Sequence, residues 1–160
     1  MSAQKQEHPL ERPVLEIMTS EVSVVEMWTT VRQAASLMAK SERGCLVVVR
    51  GNLAVGIVTE RDIVHKITAE GVDSEKVMIQ DIMSTPLITV TSSASIREAA
   101  EKMSTYEIRK IVVVDKVGKL VGLVTAGDLA HWLAELNQFS DPALNAIARL
   151  KMKGADGPYA

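Results

Sequence analysis

Aromatic side chains are nearly missing from this chain: Phe, Trp and Tyr together make up 3% of its 160 residues. A core must therefore be built from Val, Ile, Leu, Ala and Met, within a hydrophobic fraction of 47%. The same scarcity removes the stacking platforms on which single-stranded nucleic acid binds. Net charge is −2 at pH 7, without a basic stripe, so the electrostatic footprint of duplex binding is lacking too. A single cysteine, Cys45, excludes an internal disulfide and a cysteine-rich zinc site. No apolar run approaches the roughly 20 residues of a membrane span. Met1 to Pro13 is polar, without the apolar segment of a secretory leader. The expectation is a cytoplasmic protein of one sizeable domain or two small fused ones, with no nucleic-acid or membrane partner.

What is present is repetition. Gly56-Ile57-Val58-Thr59-Glu60-Arg61-Asp62 is echoed 66 residues later by Gly122-Leu123-Val124-Thr125-Ala126-Gly127-Asp128. Ile17-Met18-Thr19 matches Ile82-Met83-Ser84, and Val31-Arg32-Gln33-Ala34-Ala35 matches Ile96-Arg97-Glu98-Ala99-Ala100. Leu46 to Val49 matches Ile111 to Val114, at an offset of 65. The offset grows by one in the turn Asp115 to Lys119, where loops tolerate length change. Two units of about 60 residues are too few and too long for a solenoid. They predict an α+β fold: two pseudo-twofold-related repeats, each a small three-stranded sheet with two helices, plus a C-terminal helix.

The expected divisions are a flexible lead (1–12), a first repeat (13–72), a second (73–137), and a C-terminal helix and tail (138–160). In repeat 1, Val22 to Val25 reads as a strand. Thr30 caps a helix carrying Val31, Ala34, Ala35, Leu37 and Met38 at helical spacing, stopped by Gly44. Cys45 to Val49 is the apolar, β-branched run of a buried strand, and Ala54 to Val58 returns antiparallel. Thr59 opens a helix with Ile63, Val64 and Ile67 on one face, ended by Gly71. Ser74 to Met83 reads as a linking helix. Repeat 2 follows with strand 87–90, helix 96–103 (capping box Ser95 and Glu98), strands 110–114 and 120–124, and helix 127–136. Asp141-Pro142 signals one more helix start, with Ala143, Leu144, Ile147 and Leu150 on its apolar face and Phe139 at its entry.

Thr59 with Asp62, and Thr125 with Asp128, admit two readings. The bland one is a capping box, in which the threonine caps the helix and the acid reaches back to a free amide. The other is a ligand site. The pattern occurs twice, a glycine precedes each copy inside a strand where something must approach closely, and a helix amino terminus favours anions. An aspartate there can accept from two adjacent sugar hydroxyls. His65 and His131 lie on different helices, so no metal site is expected. Cys45 is a small hydrophobe, the methionines are core filler, and Trp132 packs between helices or at an interface. No nucleophilic triad pattern is present, and no catalytic residue is expected.

The doubled pattern resembles a tandem pair of cystathionine-β-synthase (CBS) domains, a Bateman module, over about 14–136. It is carried by Ile-Met-Thr/Ser at each repeat start, the strands ending Val49-Arg50 and Val114-Asp115, and the two Gly-x-x-Thr-x-x-Asp segments. The resemblance implies an adenosyl ligand (AMP, ADP, ATP or S-adenosylmethionine) in the cleft between repeats. It puts Asp62 and Asp128 on ribose, and Thr59 and Thr125 on phosphate. Backbone around Thr19, Val22, Ser23, Gly44 and Cys45, and around Ser84, Thr85, Pro86, Ile88, Arg109, Lys110 and Ile111, frames adenine. Ile57 and Leu123 belong to the same lining. Arg61 and Gly127 are counterparts within the motif. A cleft of Lys110, Thr125 and Asp128 is expected to suit a charged nucleotide better than its partner. The module is expected to be a non-enzymatic sensor that regulates an unknown protein. It is expected to form a homodimer through exposed Leu37, Met38, Ile63, Ile67, Met103 and Leu129. The alternative is a scaffolding dimer with empty clefts.

Overall fold

The apolar β-branched runs become the middle strands of two alike sheets. This computed structural model describes residues 7–136 and Pro142. In repeat 1, β1 (Val24–Glu26) runs parallel to β2 (Cys45–Arg50), and β3 (Leu53–Thr59) returns antiparallel. In repeat 2, β4 (Thr89–Thr91), β5 (Lys110–Val114) and β6 (Leu120–Thr125) repeat that order. Helices α1 (Val31–Ser41) and α2 (Glu60–Ile63) accompany the first sheet, α3 (Ile96–Thr105) and α4 (Ala126–Glu135) the second. The α+β class and the paired three-stranded sheets are as the repeat predicts. Among the described residues no helix is long and apolar enough to cross a membrane.

Each helix begins where a side chain supplies the missing acceptor. Thr30, Thr59, Ser95 and Thr125 each accept from the backbone amide three residues on. One aliphatic core lies under each repeat. A third cluster, Val47, Val49, Val112 and Val114, joins the sheets through β2 and β5. Fully burying such a side chain contributes roughly 1.5–3 kcal/mol, so the repeats form one body.

The repeats also exchange backbone. Thr19 N donates to Leu123 O at 2.9 Å and Leu123 N to Thr19 O at 2.9 Å. In the reciprocal place Ser84 N donates to Ile57 O at 2.8 Å. Gly56 and Gly122 make this possible. A Cβ at Gly122 would lie 2.7 Å from Met18 Sδ and 2.9 Å from Thr19 O, and one at Gly56 would lie 2.6 Å from Met83 Sδ. The close approach that these strand glycines foretell is therefore made by the other repeat's chain, where a ligand was one expected cause.

Several expectations need correction. From His8 onward the lead is docked: Leu10 is 1% exposed within the repeat-2 core, Ile96 N donates to Arg12 O, and Glu11 pairs with Arg97 at 2.7 Å. No α-helix spans Ser74 to Met83, only turns and a 3-10 turn at Ile79–Asp81. There the backbone pairs outward: Ile79 N donates to Thr29 O, Gln80 N to Met27 O, and Val77 O accepts from Val31 N. Those bonds replace an i→i−4 ladder. Helix α1 ends before Gly44, at Glu42, which takes the left-handed conformation itself (φ 53°). After Ile63 the second helix becomes a π-helix over Val64–Thr68, leaving Val64 exposed. Strands β1 and β4 start two residues later than expected. Met38, Ile67, Met103 and Leu129 are buried core, so of that expected dimer face only Leu37 is well exposed. The helix expected over 141–152, with Phe139 and the tail, lies outside the described residues save Pro142.

Candidate functional site

One cleft of about 170 Å³ opens between the repeats, lined from both. Repeat 1 supplies Thr19, Glu21, Val22, Ser23, Arg43, Cys45 and Val47, and repeat 2 supplies Leu123, Thr125 and Asp128. Thr19 and Leu123, paired through their backbones, meet in its wall. The start of α4 is its polar end. Thr125 Oγ1 accepts from Asp128 N at 3.1 Å, and Asp128 Oδ2 accepts from Thr125 N at 2.8 Å. The capping box is thus real at this helix, and Asp128 faces the cleft as well.

Positive and negative groups share the wall. Arg43, near Cys45, lines the cleft together with the carboxylates Glu21 and Asp128. Burial pushes the Cys45 thiol up from its ordinary value. Lys110 and Arg43 pull against that rise, and Glu60 adds to it. The thiol is therefore neutral at pH 7 and part of an apolar wall with Val47 and Leu123.

Seven of the residues singled out by sequence meet in this cleft: Thr19, Val22, Ser23, Cys45, Leu123, Thr125 and Asp128. Gly44 stands next to it, its carbonyl accepting from Glu60 N at 3.0 Å. Gly127 is in the first turn of α4, close to Thr125 Oγ1. Of the others, Ile57 pairs with Ser84 in the pseudo-symmetric place, with Thr85, Pro86 and Ile88 following Ser84 in the chain; Thr59 ends β3 and Asp62 lies in α2. Arg109, Lys110 and Ile111 are the counterparts of Gly44, Cys45 and Leu46, with Ile57 and Ile111 buried in the core. Arg61 is half-buried in the first turn of α2. Lys110 pairs with Thr125 across β5 and β6 and acts electrostatically on Cys45 of the cleft wall, and Arg43 lines the Asp128 cleft as a further cation. Glu21, Arg43 and Val47 complete the lining and were not singled out. Their sequence clue is position, flanking Thr19–Ser23 and Gly44–Cys45.

At Asp62 the box is tighter. Asp62 Oδ2 accepts from Thr59 N at 2.9 Å and from Thr59 Oγ1 at 3.1 Å, and Oδ1 pairs with Lys66 Nζ at 2.9 Å. Among the described residues no group of three or more His, Cys, Asp or Glu is placed to hold a metal ion.

The family model for the CBS domain matches residues 14–69 and again 79–135. The CBS domain-containing protein YhcV of Bacillus subtilis (strain 168) is 35% identical over 128 residues, 80% of this chain and 86% of its own length. Among solved structures, the CBS domain protein PAE2072 from Pyrobaculum aerophilum, complexed with AMP, is similar with a TM-score of 0.68. It is 27% identical, over 88% of this chain and 98% of that one. The CBS domain pair of protein MJ0100, in complex with 5′-methylthioadenosine and S-adenosyl-L-methionine, also gives 0.68. It is 28% identical, over 78% of this chain and 97% of that one.

Proposed function

Because the chain belongs to the CBS-domain family, as a tandem pair of CBS domains, we propose that it is a regulatory module binding an adenosyl ligand between its repeats. The candidate ligands are AMP, ADP, ATP and S-adenosylmethionine. One observation carries this: the carboxylate of Asp128, at the start of α4, closes a cleft whose other wall is Thr19–Ser23 of the opposite repeat. The relatives solved with AMP and with S-adenosylmethionine support the ligand class. The ribose hydroxyls donate to Asp128, and the base lies along Val22, Val47 and Leu123. Any phosphate meets the amino terminus of α4 and Arg43.

A ligand held by both repeats favours one relation between them. It biases a partner protein only so far as its affinity differs between two arrangements of the module. We assign it no reaction. Self-association into a homodimer, in the cytoplasm, belongs to this reading, and the exposed apolar side chains of Leu37, Val64 and Trp28 favour it.

Thermal melting tests the proposal. A ligand at 100 times its Kd stabilises by about 2.7 kcal/mol. At about 2–4 °C per kcal/mol for a chain of this size, that raises Tm by roughly 5–11 °C. Unchanged melting with every one of the four ligands at millimolar concentration rejects it.

A further inference from the structure

We propose that Lys66 is the resident occupant of the ribose position in repeat 1, so that the chain takes one adenosyl ligand, at Asp128, and not two. The inference rests on the adenosyl reading above. It starts from the difference between two equivalent aspartates. A ribose presents two adjacent hydroxyl donors, and a carboxylate offers about four lone-pair positions. Asp62 uses three of them, on Thr59 N, Thr59 Oγ1 and Lys66 Nζ. One is left, which cannot serve both hydroxyls. Thr59 is 0% exposed and Asp62 7%, so the group is also sealed by its own surroundings.

The lysine does more than neutralise. Its ammonium donates to Ile82 O at 2.7 Å while it pairs with Asp62 at 2.9 Å. Ile82 immediately precedes Met83 and Ser84, the segment laid over Gly56 and paired with Ile57. One cation therefore ties the helix of repeat 1 to the entry of repeat 2, the same linkage that a ligand makes across the Asp128 cleft. Lys66 sits within the π-helical stretch, where Ala69 N donates to Val64 O at 2.8 Å. Such π turns are rare and concentrate at functional positions. In repeat 2 the equivalent position is Trp132, packed against the core and without a cation. Asp128 is half-buried, and its carboxylate accepts one hydrogen bond among the described residues, from Thr125 N.

The test is calorimetric titration of the full chain with AMP and, separately, with S-adenosylmethionine. The wild type is expected to bind one molecule per chain. Lys66→Met and Lys66→Gln, confirmed folded by circular dichroism, are expected to bind two. The added site is expected to vanish when Asp62→Asn is combined with Lys66→Gln. A second readout needs no variant: the Lys66 side-chain NMR resonances of the wild type should hold still at saturating ligand. Two sites in the wild type, one site in a folded Lys66 variant, or displaced Lys66 resonances overturn the inference alone. No binding of either probe, nor of ADP or ATP, to the wild type overturns the adenosyl reading, and this inference with it.

Discussion

Asparagine at position 128 keeps the shape of the side chain and removes its charge, whereas alanine removes both. In the structure this carboxylate reaches back to Thr125 N at 2.8 Å while lining the cleft. An amide oxygen still accepts that bond, so Asp128→Asn should melt close to the wild type. Asp128→Ala loses the cap interaction, worth about 1 kcal/mol, and should melt roughly 2–4 °C lower. Ligand affinity divides differently. A hydrogen bond to a charged group contributes about 1.5–3 kcal/mol. At 1.4 kcal/mol per factor of ten, losing one raises Kd roughly 10- to 150-fold. Both variants should therefore lose AMP affinity by that factor in calorimetry at constant salt, while only the alanine variant loses stability. Wild-type affinity in both would mean that Asp128 caps α4 and does nothing else.

Four further outcomes are expected. Gly122→Ala places a Cβ 2.9 Å from Thr19 O, a backbone atom that cannot step aside cheaply; overpacking of this kind costs about 1–3 kcal/mol, and denaturation should register it with weakened AMP binding. Leu10→Ala should cost about 2–5 kcal/mol, since Leu10 is core; a change within 0.5 kcal/mol would return the lead to a loose tether. The Cys45 thiol is raised by burial, so above the unfolded value of roughly 8.5 the unfolded chain loses its proton first. Stability should fall with rising pH from there, and less so in Cys45→Ala; identical pH profiles would contradict this. Light scattering should give a dimer, and a mass of 17.4 kDa at high concentration would refute it.

The repeat made most of the fold legible. Apolar β-branched runs at a constant offset located β2 and β5, and Thr-x-x-Asp located the starts of α2 and α4. What stayed hidden depends on pairing between distant segments. Thr19 and Leu123 are brought together by a two-residue bridge that no local periodicity encodes. For the same reason Arg43 was not foreseen beside Asp128, since it comes to the cleft from the other repeat. The linking segment around Ile79 has helical composition, yet its amides are claimed by the turn after β1. The spacing of Asp62 and Lys66 was visible in the sequence. That the pair closes onto Ile82 was not, because the π turn and the position of Ile82 are tertiary outcomes.

The most direct measurement is a crystal structure of the full chain grown with saturating AMP. Density is expected between Thr19–Ser23 and α4, with both ribose hydroxyls on the Asp128 carboxylate and Lys66 still on Asp62. Density at Asp62 with an empty Asp128 cleft, or an empty cleft in protein shown by calorimetry to be saturated, would contradict it.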